Sequence, residues 1–203
     1  MNSELRMSGQ LGARKIAGAV SAPLGWRVRN ALRPAFWLGF LANEMAQFLA
    51  WLTGIPVLTS ELRVRLLRAN GQWVDYGLVS FRLVTTAFVN FMVDELQAET
   101  SEWGDFKYHD SGIGVTGAAV GDTDVETSDG ESRATGSQTE GAANIYESVG
   151  TIAYTTTKAI TEHGLFSQSS GTTLMDRHVF SAINVVNGDS IEFTYDLTVS
   201  SGG

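Results

Sequence analysis

The sequence predicts a mainly β protein with some helix. It places a C-terminal antiparallel, jelly-roll-like β-sandwich behind a β-hairpin, a short helix and an N-terminal anchoring helix. Three observations lead there. Short alternating segments recur between residues 143 and 199, separated by Gly, Asn and Ser turns. Asn70-Gly71 sits between two alternating runs. The longest apolar run, residues 34–58, reads as a helix bounded by Pro34 and by Gly54 and Pro56.

Residues 1–58 are expected to form a basic arm and an amphipathic anchoring helix, and residues 59–203 a β-rich body. The arm, residues 1–33, is rich in Gly and Ala, and Arg27, Arg29 and Arg33 lead into the helix. Positive charge in the first fifteen residues is followed by small residues rather than an apolar core, which does not read as a signal peptide. In the helix, Asn43, Glu44 and Gln47 gather on one side, opposite Phe36, Leu38, Leu41, Leu49 and Leu52. That stripe favours a helix packed on a partner over a membrane span. Phe36, Trp37, Phe48 and Trp51 make an apolar surface too large for a small arm to bury, which predicts docking or self-association.

Leu62, Val64 and Leu66 alternate with Arg63 and Arg65 and return through a type I′ turn at Asn70-Gly71 into residues 72–84. Arg63, Arg65 and Arg82 would share a face, either solvated or used for docking. Phe88, Met92 and Leu96 recur at helical spacing over residues 85–98, with Thr85 or Thr86 as N-cap. Residues 110–144, dominated by Gly, Thr, Ser, Asp and Ala, read as loops and edge strands. Strands follow at 143–156, 159–166, 172–186 and 190–199, with turns at His163-Gly164, Ser170-Gly171 and Asn187-Gly188.

Charge is divided unevenly. Residues 1–82 hold ten Lys/Arg and four Asp/Glu, a net of +6, and residues 83–203 hold four and eighteen, a net of −14. Such a split suits docking on a negative surface beneath a soluble body, or mutual neutralisation in an oligomer. A duplex would be repelled by the acidic body, so no nucleic-acid partner is expected.

Chemistry is sparse. With no cysteine, disulfides and thiolate sites are excluded. Gly112-Ile113-Gly114-Val115-Thr116-Gly117 matches the dinucleotide-binding glycine pattern, but neither a buried strand before it nor a helix after it is apparent. These glycines are expected to make turns. All three histidines adjoin carboxylates (His109-Asp110, Glu162-His163, Asp176-Arg177-His178), yet sequence neighbours on a strand face opposite ways. Asp176 with Arg177 suggests a surface or interface ion pair, and Gly121-Asp122-Thr123-Asp124 a solvated turn. No catalytic residue, cofactor or metal is expected. A hydrolase built on His109 or His178 is the alternative from a different class.

Four stretches carry a resemblance: TTAFVNFMVDEL leading into KYHDSGIGVTGAAVGDTDVET, then ANIYESVGTIAYTTTKAITEHGLF, then LMDRHVF, then AINVVNGDSIEFTYDL. In this order they resemble a group of small virion structural proteins of tailed bacteriophages and prophages, covering roughly residues 85–203. Val115-Thr116-Gly117 departs from the Thr-Thr-Ala run of that pattern. The resemblance implies a virion structural protein, assembled in the host cytoplasm. Members are variously head decoration, head-fibre, and tail or baseplate components. Together with the charge split and the apolar helix, it leads to the expectation of a trimeric capsid-associated decoration or head-fibre protein docked on the major capsid protein or another virion protein. A tail, neck or baseplate component contacting glycan is the alternative, with Trp103, Tyr108 and Tyr154 as its only aromatic candidates.

Overall fold

A computed structural model describes residues 18–82, 84–96, 105–171 and 173–200. Its chain order is β1 (Val20–Ser21), α1 (Leu24–Ala31), α2 (Pro34–Thr53), β2 (Val57–Leu67), β3 (Trp73–Arg82), α3 (Thr86–Glu95), β4 (Tyr108–Gly112), β5 (Ala134–Thr135), β6 (Ser137–Ala142), β7 (Ile145–Ala153), β8 (Lys158–Phe166), β9 (Leu174–Val185) and β10 (Ser190–Ser200). The strands form a six-stranded sheet, β1-β3-β2-β10-β7-β6, facing a four-stranded sheet, β5-β4-β8-β9. All pairings are antiparallel except the two-residue β1–β3 contact. The fold is mainly β, with three helices among the described residues.

Period-two alternation builds the larger sheet. Leu62, Val64 and Leu66 of β2 and Ile191, Phe193, Tyr195 and Leu197 of β10 turn inward and are buried. Outward lie Arg63 against Asp196 and Arg65 against Glu192, joining two central strands across the solvent face. Arg82 leaves this face. Two register shifts in the β2–β3 pairing re-aim the strand, and Arg82 instead lies close enough to Asp176 and Arg177 to feel their charges.

The hairpin differs from expectation in its turn. The Gly71 N–H donates to the Arg68 carbonyl at 2.8 Å, Gly71 alone in the loop has positive φ (83°), and Asn70 does not. A type I′ turn needs positive φ at both central residues. This is a three-residue loop of type I turn plus bulge, and Asp189 holds it by accepting from the Ala69 N–H at 2.8 Å. Likewise His163 and Gly164 make no turn: both lie inside β8, paired with His178 and Arg177. Gly164 is there for space, because a Cβ would stand 2.7 Å from the Phe166 ring. Thr85 is the N-cap of α3, its hydroxyl accepting from Phe88 N–H at 3.2 Å. Residues 97 and 98 of the expected helix lie outside the described residues.

The N-terminal helices are part of the body. Trp26 of α1 is buried in the common core, edge-on to Tyr76 at 4.6 Å, and donates from Nε1 to the Ser181 carbonyl at 2.9 Å. Asn30 donates to the Val79 carbonyl (3.1 Å) and accepts from the Ser181 N–H (3.1 Å). One amide side chain thus joins the β3 edge of one sheet to the β9 edge of the other, satisfying backbone groups that would otherwise be orphaned.

Candidate functional site

Helix α2 is laid on the body by its small and polar side. Gly39, Asn43, Ala46 and Ala50 are neighbours at helical spacing; Asn43 is 2% and Ala50 1% exposed. Gly39 sits against β3, and the Phe36 and Phe40 rings each meet the Phe81 ring edge-on with centroids 5.4 Å apart. Of the polar stripe, Asn43 therefore faces inward, Gln47 is half-buried and Glu44 is exposed. What faces outward is apolar: Trp37, Leu38, Leu41, Met45, Phe48, Leu49, Trp51 and Leu52 are 46–66% exposed.

Of the seven residues expected to form the docking surface, Trp37, Phe48 and Trp51 share this outward face, with the Phe48 and Trp51 rings 5.9 Å apart. Arg27 and Arg29 are exposed on α1. Phe36 and Arg33 are drawn away: Phe36 packs on Phe81, and Arg33 donates to the Val179 carbonyl at 2.8 Å. Leu38, Leu41, Met45, Leu49 and Leu52 complete the face. Beside α2 a cavity of about 200 Å³ runs down to Arg82, Asp176 and Arg177. Among the described residues no helix is long and apolar enough to cross a membrane.

The three histidines line the interior of the four-stranded sheet. His109 Nδ1 and His163 Nε2 are 3.0 Å apart, and His109 Nε2 is 2.9 Å from Ser148 Oγ on the opposing sheet. His163 Nδ1 has no hydrogen-bond partner, so it is best left without a proton. His163 Nε2–H then donates to His109 Nδ1, and His109 Nε2–H donates to Ser148. Burial pushes His109 down to about 3 and His163 well below its ordinary value, so both rings are neutral. They act as polar rungs between strands.

Ser60, Asp176 and His178 also meet, all at most 2% exposed. Ser60 Oγ donates to Asp176, and His178 Nε2 lies 3.2 Å from the same carboxylate oxygen and 3.4 Å from the hydroxyl. In a nucleophilic triad the acid holds the ring nitrogen opposite to the one serving the nucleophile. Here acid and hydroxyl share one nitrogen, and Nδ1 has no partner. The arrangement ties β2 to β9 and does not present an activated serine.

Outside the four-stranded sheet, Glu162 anchors the segment 113–127. It is fully buried and accepts from the backbone N–H groups of Gly114 (2.8 Å), Glu126 (2.9 Å) and Thr127 (2.9 Å) and from Arg177 Nε (2.7 Å). Arg177 also reaches Asp122 at 3.0 Å and Glu126 at 3.2 Å. Arg177 is therefore a buried hub paired with Glu162 rather than a surface partner of Asp176, and Asp122 is no solvated turn residue. Gly112 and Gly114 correct a further expectation. Neither has positive φ, and at both an added Cβ would collide with the Glu162 carboxylate. They are close-approach glycines.

Tyr154 is 1% exposed and its hydroxyl is 3.0 Å from Ser111, so it cannot stack on a glycan. Tyr108 is half-buried against Phe166, Leu174 and Val125, and Trp103 lies outside the described residues. No family model, curated protein or solved structure matches the chain.

Proposed function

We propose that the chain is a structural component of a tailed-bacteriophage particle, a capsid-associated decoration or head-fibre protein assembled through its N-terminal helical region. One observation carries the assembly role: a 20-residue helix packs by its small side and turns its large apolar side outward. A chain that stayed alone in water would reverse that choice, because a contiguous apolar strip favours association. The buried histidines are neutral polar rungs and the Ser60–Asp176–His178 group presents no activated serine, which favours the outer surface as the place where this molecule acts. The net of −14 over residues 83–203 suits a body that faces solvent in a crowded lattice. The phage context comes from the four ordered sequence stretches in residues 85–203.

The test is immunogold labelling of particles purified from a phage or induced lysogen carrying the gene. Label over the capsid is expected. Label confined to the tail would replace this reading with the tail or baseplate one, and unlabelled particles would end the virion reading. Deleting residues 1–58 is unsuitable as a test, because Trp26 belongs to the core. Leu41→Glu with Phe48→Glu changes only the outer face and should abolish incorporation while the body folds.

A further inference from the structure

Five of the eight outward residues of α2 are spaced regularly, and Trp37, Leu49 and Trp51 flank them. Leu38, Leu41, Met45, Phe48 and Leu52, then Ile55 just past the helix, follow one another by 3, 4, 3, 4 and 3 positions, and all are more than half exposed. This is the a/d spacing of a coiled-coil seam, whose knobs fit the holes of another helix with the same period. A merely greasy helix would need no such register. Among the described residues, the other two helices are α1 with 8 residues and α3 with 10, too short to cover two heptads. Among the described residues no helix covers the seam, which leaves room for a helix from outside the chain.

We propose that it is α2 of further copies of this chain, three helices packing in parallel about a three-fold axis. The inference rests on the reading of α2 as an assembly surface and names its occupant. Rotational symmetry about an axis beside α2 makes the helices parallel and brings like layers together. In a parallel bundle each residue one place before an a position meets the residue five places later on the next helix. Trp37 then covers Ala42, and Glu44 meets Leu49. Large lies against small, and no like charges are apposed. The a layers are Leu38, Met45 and Leu52, with no β-branched residue of the kind that selects dimers, and Ile55 continues the d positions. The eight exposed side chains offer roughly 1,000 Å² per copy, against about 800 Å² per partner in a stable interface. Gly39, Asn43 and Ala50 remain on the body, so the sandwiches stand outside the bundle.

The experiment uses the full chain at micromolar concentration. Sedimentation equilibrium should give a trimer, and Leu41→Glu with Phe48→Glu a monomer with an unchanged circular dichroism spectrum. The chain has no cysteine, so Met45→Cys should form disulfide-linked pairs of copies under mild oxidation, and Gln168→Cys, at an exposed turn, should not. A wild-type monomer would overturn the proposal. So would Leu38→Cys crosslinking to Leu52→Cys in preference to itself, which marks an antiparallel pair. Particle labelling is independent of these readouts: a capsid-bound monomer sinks this inference alone, and a trimer absent from particles sinks only the virion reading.

Discussion

Gly39 of α2 and Phe81 of β3 are in backbone contact: a Cβ on Gly39 would stand 2.6 Å from the Phe81 carbonyl oxygen. The closeness fixes how the helix lies, and so which of its sides is presented. Gly39→Ala must push α2 off the strand and should cost about 1–3 kcal/mol. Gly25→Ala in α1 is the control. Nothing lies within 4 Å of that Cβ, and the helix should gain up to about 1 kcal/mol. Urea unfolding of the two variants measures both.

The neutral histidines make the fold acid-sensitive. His109 titrates at about 3 in the folded chain, and His163 well below its ordinary value, whereas both bind protons near 6.5 when unfolded. The unfolded state therefore holds more protons below that pH, and their contribution to stability is lost as pH falls from 6.5 towards 3. Each group adds a slope of about 1.4 kcal/mol per pH unit there. His109→Gln should remove one group's share of the slope, read from denaturant midpoints between pH 7.5 and 4.5.

Asp196 works in the opposite sense. Burial, together with Glu147 and Glu61 beside it, raises its carboxyl to about 6, although Arg63 is its ion-pair partner and pulls the other way. Burial and the two flanking acids outweigh one partly exposed guanidinium. The group is protonated more readily in the folded chain, so its contribution is full below pH 4 and is lost as pH rises through 6. Asp196→Asn should stabilise the protein at pH 7.5 by about 2 kcal/mol. The variant should also show a steeper acid loss, since the offsetting proton uptake is gone.

Glu162→Gln should release the segment 113–127. The amide keeps the size of the side chain, but its NH₂ faces N–H donors and Arg177 loses its buried counter-charge. A cost of about 3–5 kcal/mol is expected, with faster proteolytic cleavage between residues 113 and 127. Glu126→Gln, whose carboxylate is exposed, should change little by comparison.

Much of the fold was legible because it rests on local patterns. Alternation in 57–67, 145–153 and 190–200, Pro34 in the first turn of α2 and the caps Gly54 and Thr85 locate their elements within a few residues. The misreadings have one physical source, which is that tertiary neighbours decide what a small residue is for. Gly112, Gly114 and Gly164 look like turns in sequence, but they are strand or loop positions emptied to admit a carboxylate or a ring. Asn43 and Gln47 mark a polar stripe, but nothing in it says that Asn43 faces the sandwich. Asp176 and His178, two apart on one strand, carried a readable signal for a shared face. Glu162 and Arg177 did not, because a bulge and a hairpin set their meeting. The seam on α2 was readable as 3-4 spacing from Leu38 onward.

Strand β10 lies between β2 and β7, although it follows both in the chain. During synthesis the hairpins β2–β3 and β6–β7 can each close as soon as they appear, yet they share no edge until β10 inserts between them. Asn30 likewise waits for Ser181, 151 positions downstream. The molecule therefore matures in a single late step dominated by non-local contacts, which is slow. Until that step, α2 lacks the finished surface beneath it, and copies on neighbouring ribosomes could meet through their seams before their bodies are complete.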